Sequence, residues 1–256
     1  MPDWQRAAQL DPKQWRYGAM LARHYLKREA TALALAVADD YTRRFPSNDS
    51  LALLRAKALL LTGQYRAAAE FLSSLHVLPA EGTTEAHALF REAHLLLAVE
   101  QMKAGEYDDA LRLVGQQQVE QLGAGKPYPA DVDERLEDWL TAQCDLALHD
   151  TAKARQALDR ILAIPSRAEG QGTGDLIRAL ALKQAGHRAE AKQLLKAWQA
   201  RDPRSDLAVW GRKLFAGHSS ALPASLTGLD CRVLTGIART GIHPKPLPAS
   251  KNDHGA

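Results

Sequence analysis

Four groups of residues in the sequence have types that could do chemistry. Gly125-Lys126 matches the closing glycine and lysine of a phosphate-binding loop, where backbone N–H groups cradle phosphate and the lysine neutralises it. The spacing refuses that chemistry: Glu120 stands where a Gly is needed, Pro127 where Ser or Thr would bind magnesium, and no strand precedes them. Gly170, Gly172 and Gly174 alternate ahead of an apolar run but also follow no strand, so they read as a hinge between helices. His87 and His94 share a helical face, yet metal pairs use tighter helical spacing with facing carboxylates, and Glu92 does not share that face. Asp131, Asp133, Glu134, Glu137 and Asp138 are dense enough for acid–base work. They also crowd the first turns of a predicted helix, where the dipole favours each carboxylate by about 0.3–1 kcal/mol. No Ser/His/Asp or Cys/His set has a local signature. No catalytic residue, metal or cofactor is assigned, and an enzyme is not expected.

Recognition chemistry remains. Arg16, Arg23, Lys27, Lys57, Lys103 and Lys183 fall at groove-facing positions when the first helices of successive pairs are aligned. Cations so placed would steer an acidic peptide or a terminal carboxylate. A second set sits in and beside two insertions: Glu81 in one, and Lys126, Tyr128 and, downstream, Arg135 and Trp139 in the other. Pro127 and Pro129 stiffen the second loop and lower the entropy lost when a partner docks. Arg16, Arg23, Lys57, Glu81, Lys126, Tyr128, Arg135 and Trp139 are therefore the candidate partner-binding residues.

The elements that position these groups are repeats. Gly63-Gln64-Tyr65-Arg66-Ala67-Ala68 and Gly105-Glu106-Tyr107-Asp108-Asp109-Ala110 share the pattern Gly-x-Tyr-x-x-Ala. Weaker echoes end at Ala34, Ala154 and Ala191. Gly permits the tight turn, Tyr opens the second helix, and Ala lets two helices approach closely. Recurrence at this period marks a helix–turn–helix solenoid of tetratricopeptide type. The predicted architecture is all-α: about five helix pairs over residues 12–216, led by residues 1–11 and closed by a capping helix from Asp206 to Phe215. Predicted helix N-caps are Asp11, Asn48 or Asp49, and Asp131 or Asp133. Residues 217–256, rich in Pro, Ser, Gly and His, read as a largely disordered and dispensable tail.

Lys and Arg number 33 against 30 Asp and Glu, too balanced for the basic stripe that nucleic-acid binding requires. No stretch is apolar enough to cross a bilayer, the first residues lack a signal-peptide core, and Cys144 and Cys231 form no disulfide framework. A cytoplasmic protein with a protein or peptide partner is expected.

Two phrases are more specific than the repeat. They are Leu78-Pro79-Ala80-Glu81-Gly82-Thr83-Thr84-Glu85, continuing to Phe90-Arg91-Glu92-Ala93-His94, and Leu122-Gly123-Ala124-Gly125-Lys126-Pro127-Tyr128, continuing through Asp131-Val132-Asp133-Glu134-Arg135 to Trp139. Both resemble the tetratricopeptide portion at the C-terminal end of large bacterial proteins. In those it follows a domain of unknown function like the sugar-binding β-sandwich of aldose epimerases. The resemblance covers roughly Trp15 to Trp198, and no such sandwich precedes the repeats here. It implies an interaction scaffold, or alternatively an accessory module of a carbohydrate-processing protein.

Overall fold

A computed structural model describes residues 3–75, 84–115, 133–164, 172–201, 203–218, 221–240 and 247. Glu81, Lys126, Tyr128 and Asp131 lie outside them. The described residues form helices and no strands. In chain order these are α1 (Asp3–Leu10), α2 (Trp15–Lys27), α3 (Thr31–Arg44), α4 (Asp49–Leu61), α5 (Tyr65–Ser74), α6 (Thr84–Ala104) and α7 (Tyr107–Gly115). There follow α8 (Arg135–Ala147), α9 (Thr151–Ala163), α10 (Thr173–Gln184), α11 (Arg188–Arg201), α12 (Asp206–Phe215) and α13 (Leu229–Ala238). The fold is all-α and solenoid-like. The chain divides into two compact units, residues 1–97 with 117–127 and residues 98–116 with 128–256.

One turn is built five times. Glu29, Gly63, Gly105, His149 and Gly186 all have positive φ, between 58° and 97°. Each sits five residues before a fully buried alanine: Ala34, Ala68, Ala110, Ala154 or Ala191. The hydrogen bonds repeat as well. The amides of Ala30, Gln64, Glu106, Asp150 and His187 donate to the carbonyls of Tyr25, Leu59, Gln101, Asp145 and Leu182, at 2.8–3.0 Å. The positive-φ residue itself donates one turn back, as Gly63 does to Leu60 at 3.1 Å. This is a left-handed C-cap that satisfies carbonyls the helix leaves open. The following helix starts at once, with Tyr65 or Tyr107 as its first residue in two of the copies.

In the first unit α2, α3 and α4 pack mutually, and α1 and α5 flank them. Ala19, Ala22, Ala38, Tyr41, Leu51 and Leu54 form the core, with Trp15, Leu26, Val37 and Phe45 around it. Gly18 is required by the crossing of α2 and α3, since a Cβ there would overlap the Tyr41 ring. The Asn48 side chain caps α4 by accepting from the Leu51 amide at 3.1 Å. Asp11 does not cap α2, whose N-cap is Gln14, and within the N-terminal lead residues Asp3–Leu10 form a helix. The intervening Asp11-to-Gln14 stretch is a turn, because Asp11 accepts from the Lys13 amide instead.

In the second unit α8 to α11 continue the same nearest-neighbour packing, and α12 lies on α10 and α11. Gly211 allows that approach: a Cβ there would be 3.2 Å from Leu176 and 3.3 Å from Trp198. Ser205 caps α12 by accepting from the Ala208 amide. The helix at Asp206–Phe215 is thus as expected, but it does not end the fold.

The expectation for the tail is corrected at Leu229–Ala238, which form α13. Cys231, Val233, Leu234 and Ile237 are buried, and so is Leu247. A Cβ on Gly236 would be 2.7 Å from Val99 Cγ1, so α13 lies close against the last turns of α6. The Leu247 amide donates to the Gln184 carbonyl at 2.8 Å. Ser225 donates to Asp206 at 2.5 Å, and the Thr173 hydroxyl donates to Asp230.

Two measurements check these packing statements. Glu29 and His149 occupy a conformation that favours glycine, and both side chains are exposed. His149→Gly is expected to stabilise the chain by about 0.5–1 kcal/mol, read as a raised urea midpoint. Removing residues 219–256 discards buried aliphatic side chains worth about 1.5–3 kcal/mol each. That deletion is expected to lower the thermal midpoint by many degrees in circular dichroism, whereas an unchanged midpoint would show that α13 adds nothing to stability.

Candidate binding groove

α4 (DSLALLRAKALLL) is apolar almost all round, because a first helix in mid-array touches its own partner and the helices on either side. Leu51, Ala52, Leu54, Ala56, Ala58, Leu59 and Leu60 are buried by those contacts. One stripe remains for the groove: Ser50, Leu53, Lys57 and Leu61, at helical spacing. α2 faces it with Arg23, Leu26 and Lys27, and Glu85 of α6 completes the lining. The cavity so enclosed has a volume of about 430 Å³, inside the range typical of ligand pockets.

Its chemistry is two-part. Leu26, Leu53, Leu54 and Leu61 supply apolar surface, and Leu61 stays 45% exposed although its neighbours in α4 are buried. Arg23, Lys27 and Lys57 are exposed and make no ion pair with another described residue. Two arginines at α3 are neutralised instead: Arg44 of α3 pairs with Asp40 at 3.0 Å, and Arg55, which faces α3, with Asp39 at 2.5 Å. Arg44 also lies over the Tyr41 ring and Arg55 over Phe71. The second helix of the pair carries these carboxylates, so the first helix faces the cavity with uncompensated positive charge. Among the described lining residues there is no histidine or cysteine, and the ionisable groups are one carboxylate and three cations.

Arg23 and Lys57, expected in the groove from sequence, are brought together with Lys27. Arg16, the second residue of α2, is exposed but outside the cavity, over the Trp15 ring and donating to Gln14 at 3.3 Å. Lys103 is exposed at the end of α6. Lys183 is engaged: its ammonium donates to the Phe215 carbonyl at 2.5 Å, and burial lowers its pKa, helped by nearby Arg188. Sequence reasoning passed over the leucines and Glu85. α4 is apolar almost all round, so no spacing in the sequence marks Leu53 and Leu61 as its open stripe.

Arg135 and Trp139 are corrected. Both are interior residues of the second unit, 8% and 7% exposed, so neither presents a surface for a partner. Arg135 forms a two-pronged pair with Asp133, Nε to Oδ1 at 2.8 Å and Nη2 to Oδ2 at 2.6 Å. Its guanidinium lies against Gly174, where a Cβ would overlap it, with Asp175 and Asp230 also within electrostatic reach. The Asp133 hydrogen bonds raise its pKa above the ordinary arginine value, against the opposing effect of burial. The first turns of α8, α10 and α13 thereby meet at one charge cluster. Position 133 acts through this pair and by accepting from the Arg135 amide at 3.2 Å; the N-cap of α8 is Glu134.

The other chemical groupings are structural. His94 is buried, stacks on Phe90 and places Nδ1 2.9 Å from the Phe90 carbonyl, while burial lowers its pKa. Asp138 pairs with Arg160 of α9 at 2.6 Å; burial raises its pKa and the arginine opposes that rise. Burial also pushes the thiols of Cys144 and Cys231 up, to about 12 and about 11.

Arg135→Ala would leave three carboxylates clustered without their cation. A loss of about 1–3 kcal/mol in urea unfolding is expected, below the cost of a fully buried pair because solvent reaches Asp133. Arg135→Lys should recover only part of it, because an ammonium cannot reproduce the two-pronged geometry.

Comparison of the chain with protein-family models, with curated proteins and with solved structures finds no match in any of the three.

Proposed function

We propose that this chain is a tetratricopeptide-type interaction scaffold, cytoplasmic, and that the groove between α2 and α4 holds a segment of a partner protein. One observation carries the reading: Arg23, Lys27 and Lys57 line one cavity around leucines and make no ion pair with another described residue, while Arg44 of α3 and Arg55, which faces α3, are matched with α3 carboxylates. Exposed cations left unpaired beside exposed leucine contribute little to folding, and both are suited to holding an amphipathic partner. The left-handed turns support the repeat type, since a short helix–turn–helix unit recurs with an alanine at each close approach.

The full chain, immobilised and exposed to lysate of its source, tests this reading. Arg23→Glu with Lys57→Glu is expected to abolish capture of the bound protein without changing the helical circular dichroism, because both side chains are exposed. Capture at the original level by the folded double variant would place binding elsewhere.

A further inference from the structure

We infer that the occupant of the α2–α4 groove is an acidic segment anchored by a bulky apolar side chain, and that Glu85 weakens its attraction to the groove. The inference rests on the reading of this groove as the binding face and adds the chemistry of the partner.

The described lining residues carry three cations and one carboxylate, so their formal charge favours an anion. Arg23 and Lys27 are four residues apart on α2, about 6 Å along the axis. Lys57 stands on the facing helix. Carboxylates spread along a segment can meet charge on both walls, which one small anion does less well. The leucines require something further. Water over Leu26, Leu53 and Leu61 is displaced favourably only by an apolar group. A cavity of about 430 Å³ accommodates side chains of a docking segment, not a folded domain. Ser50 to Leu61 spans eleven residues of α4, about 16 Å, which an extended chain covers in about five residues. An anchor side chain flanked by carboxylates fits these dimensions. Glu85 is the sole like charge such a ligand meets among the described lining residues.

The test uses a fluorescein-labelled peptide of about twelve residues, with a Leu-Leu core flanked on each side by Asp, titrated with the full chain. One control replaces each Asp with Lys, and another replaces both Leu with Ser. The acidic leucine peptide is expected to bind about tenfold more tightly than either control, and to weaken several-fold between about 50 mM and about 500 mM salt. Arg23→Glu and Lys57→Glu should each weaken it. Glu85→Lys should tighten it, a gain that damage to the fold cannot mimic.

The inference is overturned if the Lys peptide or the Ser peptide binds as well as the parent, if Glu85→Lys leaves affinity unchanged or lower, or if no peptide binds the folded chain at about 1 mM. Should the peptides fail while Arg23→Glu with Lys57→Glu still abolishes capture from lysate, the groove remains the site and only the assigned partner chemistry falls. If the double variant also captures normally, the groove reading falls with it.

Discussion

The structure depends on one local interaction, the left-handed C-cap that ends α2, α4, α6, α8 and α10. A backbone amide reaches back five residues to a helix carbonyl, and the next helix begins immediately. The reversal is tight because it satisfies polar groups that would otherwise face the neighbouring helix unpaired. The alanine five residues on then meets the first helix with no side chain to hold it off. Where the second helix carries a bulky group, a glycine on the first compensates, as Gly18 of α2 does beneath Tyr41 of α3. Gly217 repeats the cap at the end of α12, with its amide donating to Leu214 and that of His218 to Lys213.

Once this turn fixes the pairing, the two helices of a pair have different surroundings. A first helix in mid-array, such as α4, is enclosed on several sides and keeps a narrow outward stripe, while α2 and the second helices bury one face. Asp39 and Asp40 of α3 therefore find arginine partners, and Arg23, Lys27 and Lys57 of the first helices do not. Arg135 shows the opposite fate for the same side-chain type. Buried beside Asp133, Asp175 and Asp230, it ties the starts of three helices instead of facing a ligand. Desolvation makes such a pair costly to break, which is why its role is structural.

The turns at Gly63 and Gly105 were legible because glycine advertises positive φ. Those at Glu29 and His149 were only echoes, since an L-residue in that conformation has no sequence mark. The caps at Asn48 and the bounds of α12 followed from local chemistry and were readable. α13 was not: ten residues containing Thr and Gly, set among Pro and Ser, show little periodicity, and their burial is decided by contacts such as Gly236 on Val99. Arg23 and Lys57 could be placed from repeat alignment alone. The leucines between them look like core in sequence, because which face of an all-apolar helix stays open is a tertiary matter. Arg135 and Trp139 failed for the converse reason, a recognition-type residue being indistinguishable in sequence from a buried one.

Hydrogen exchange of five backbone amides, Ala30, Gln64, Glu106, Asp150 and His187, tests the central claim most directly. If the cap is the interaction on which the array depends, each exchanges far more slowly than an exposed turn amide, at rates close to those of the helices it joins. Neighbouring copies within a unit should lose protection together as urea is added, because each repeat is held by the next. Exchange of these amides at the rate of open loops would contradict the account.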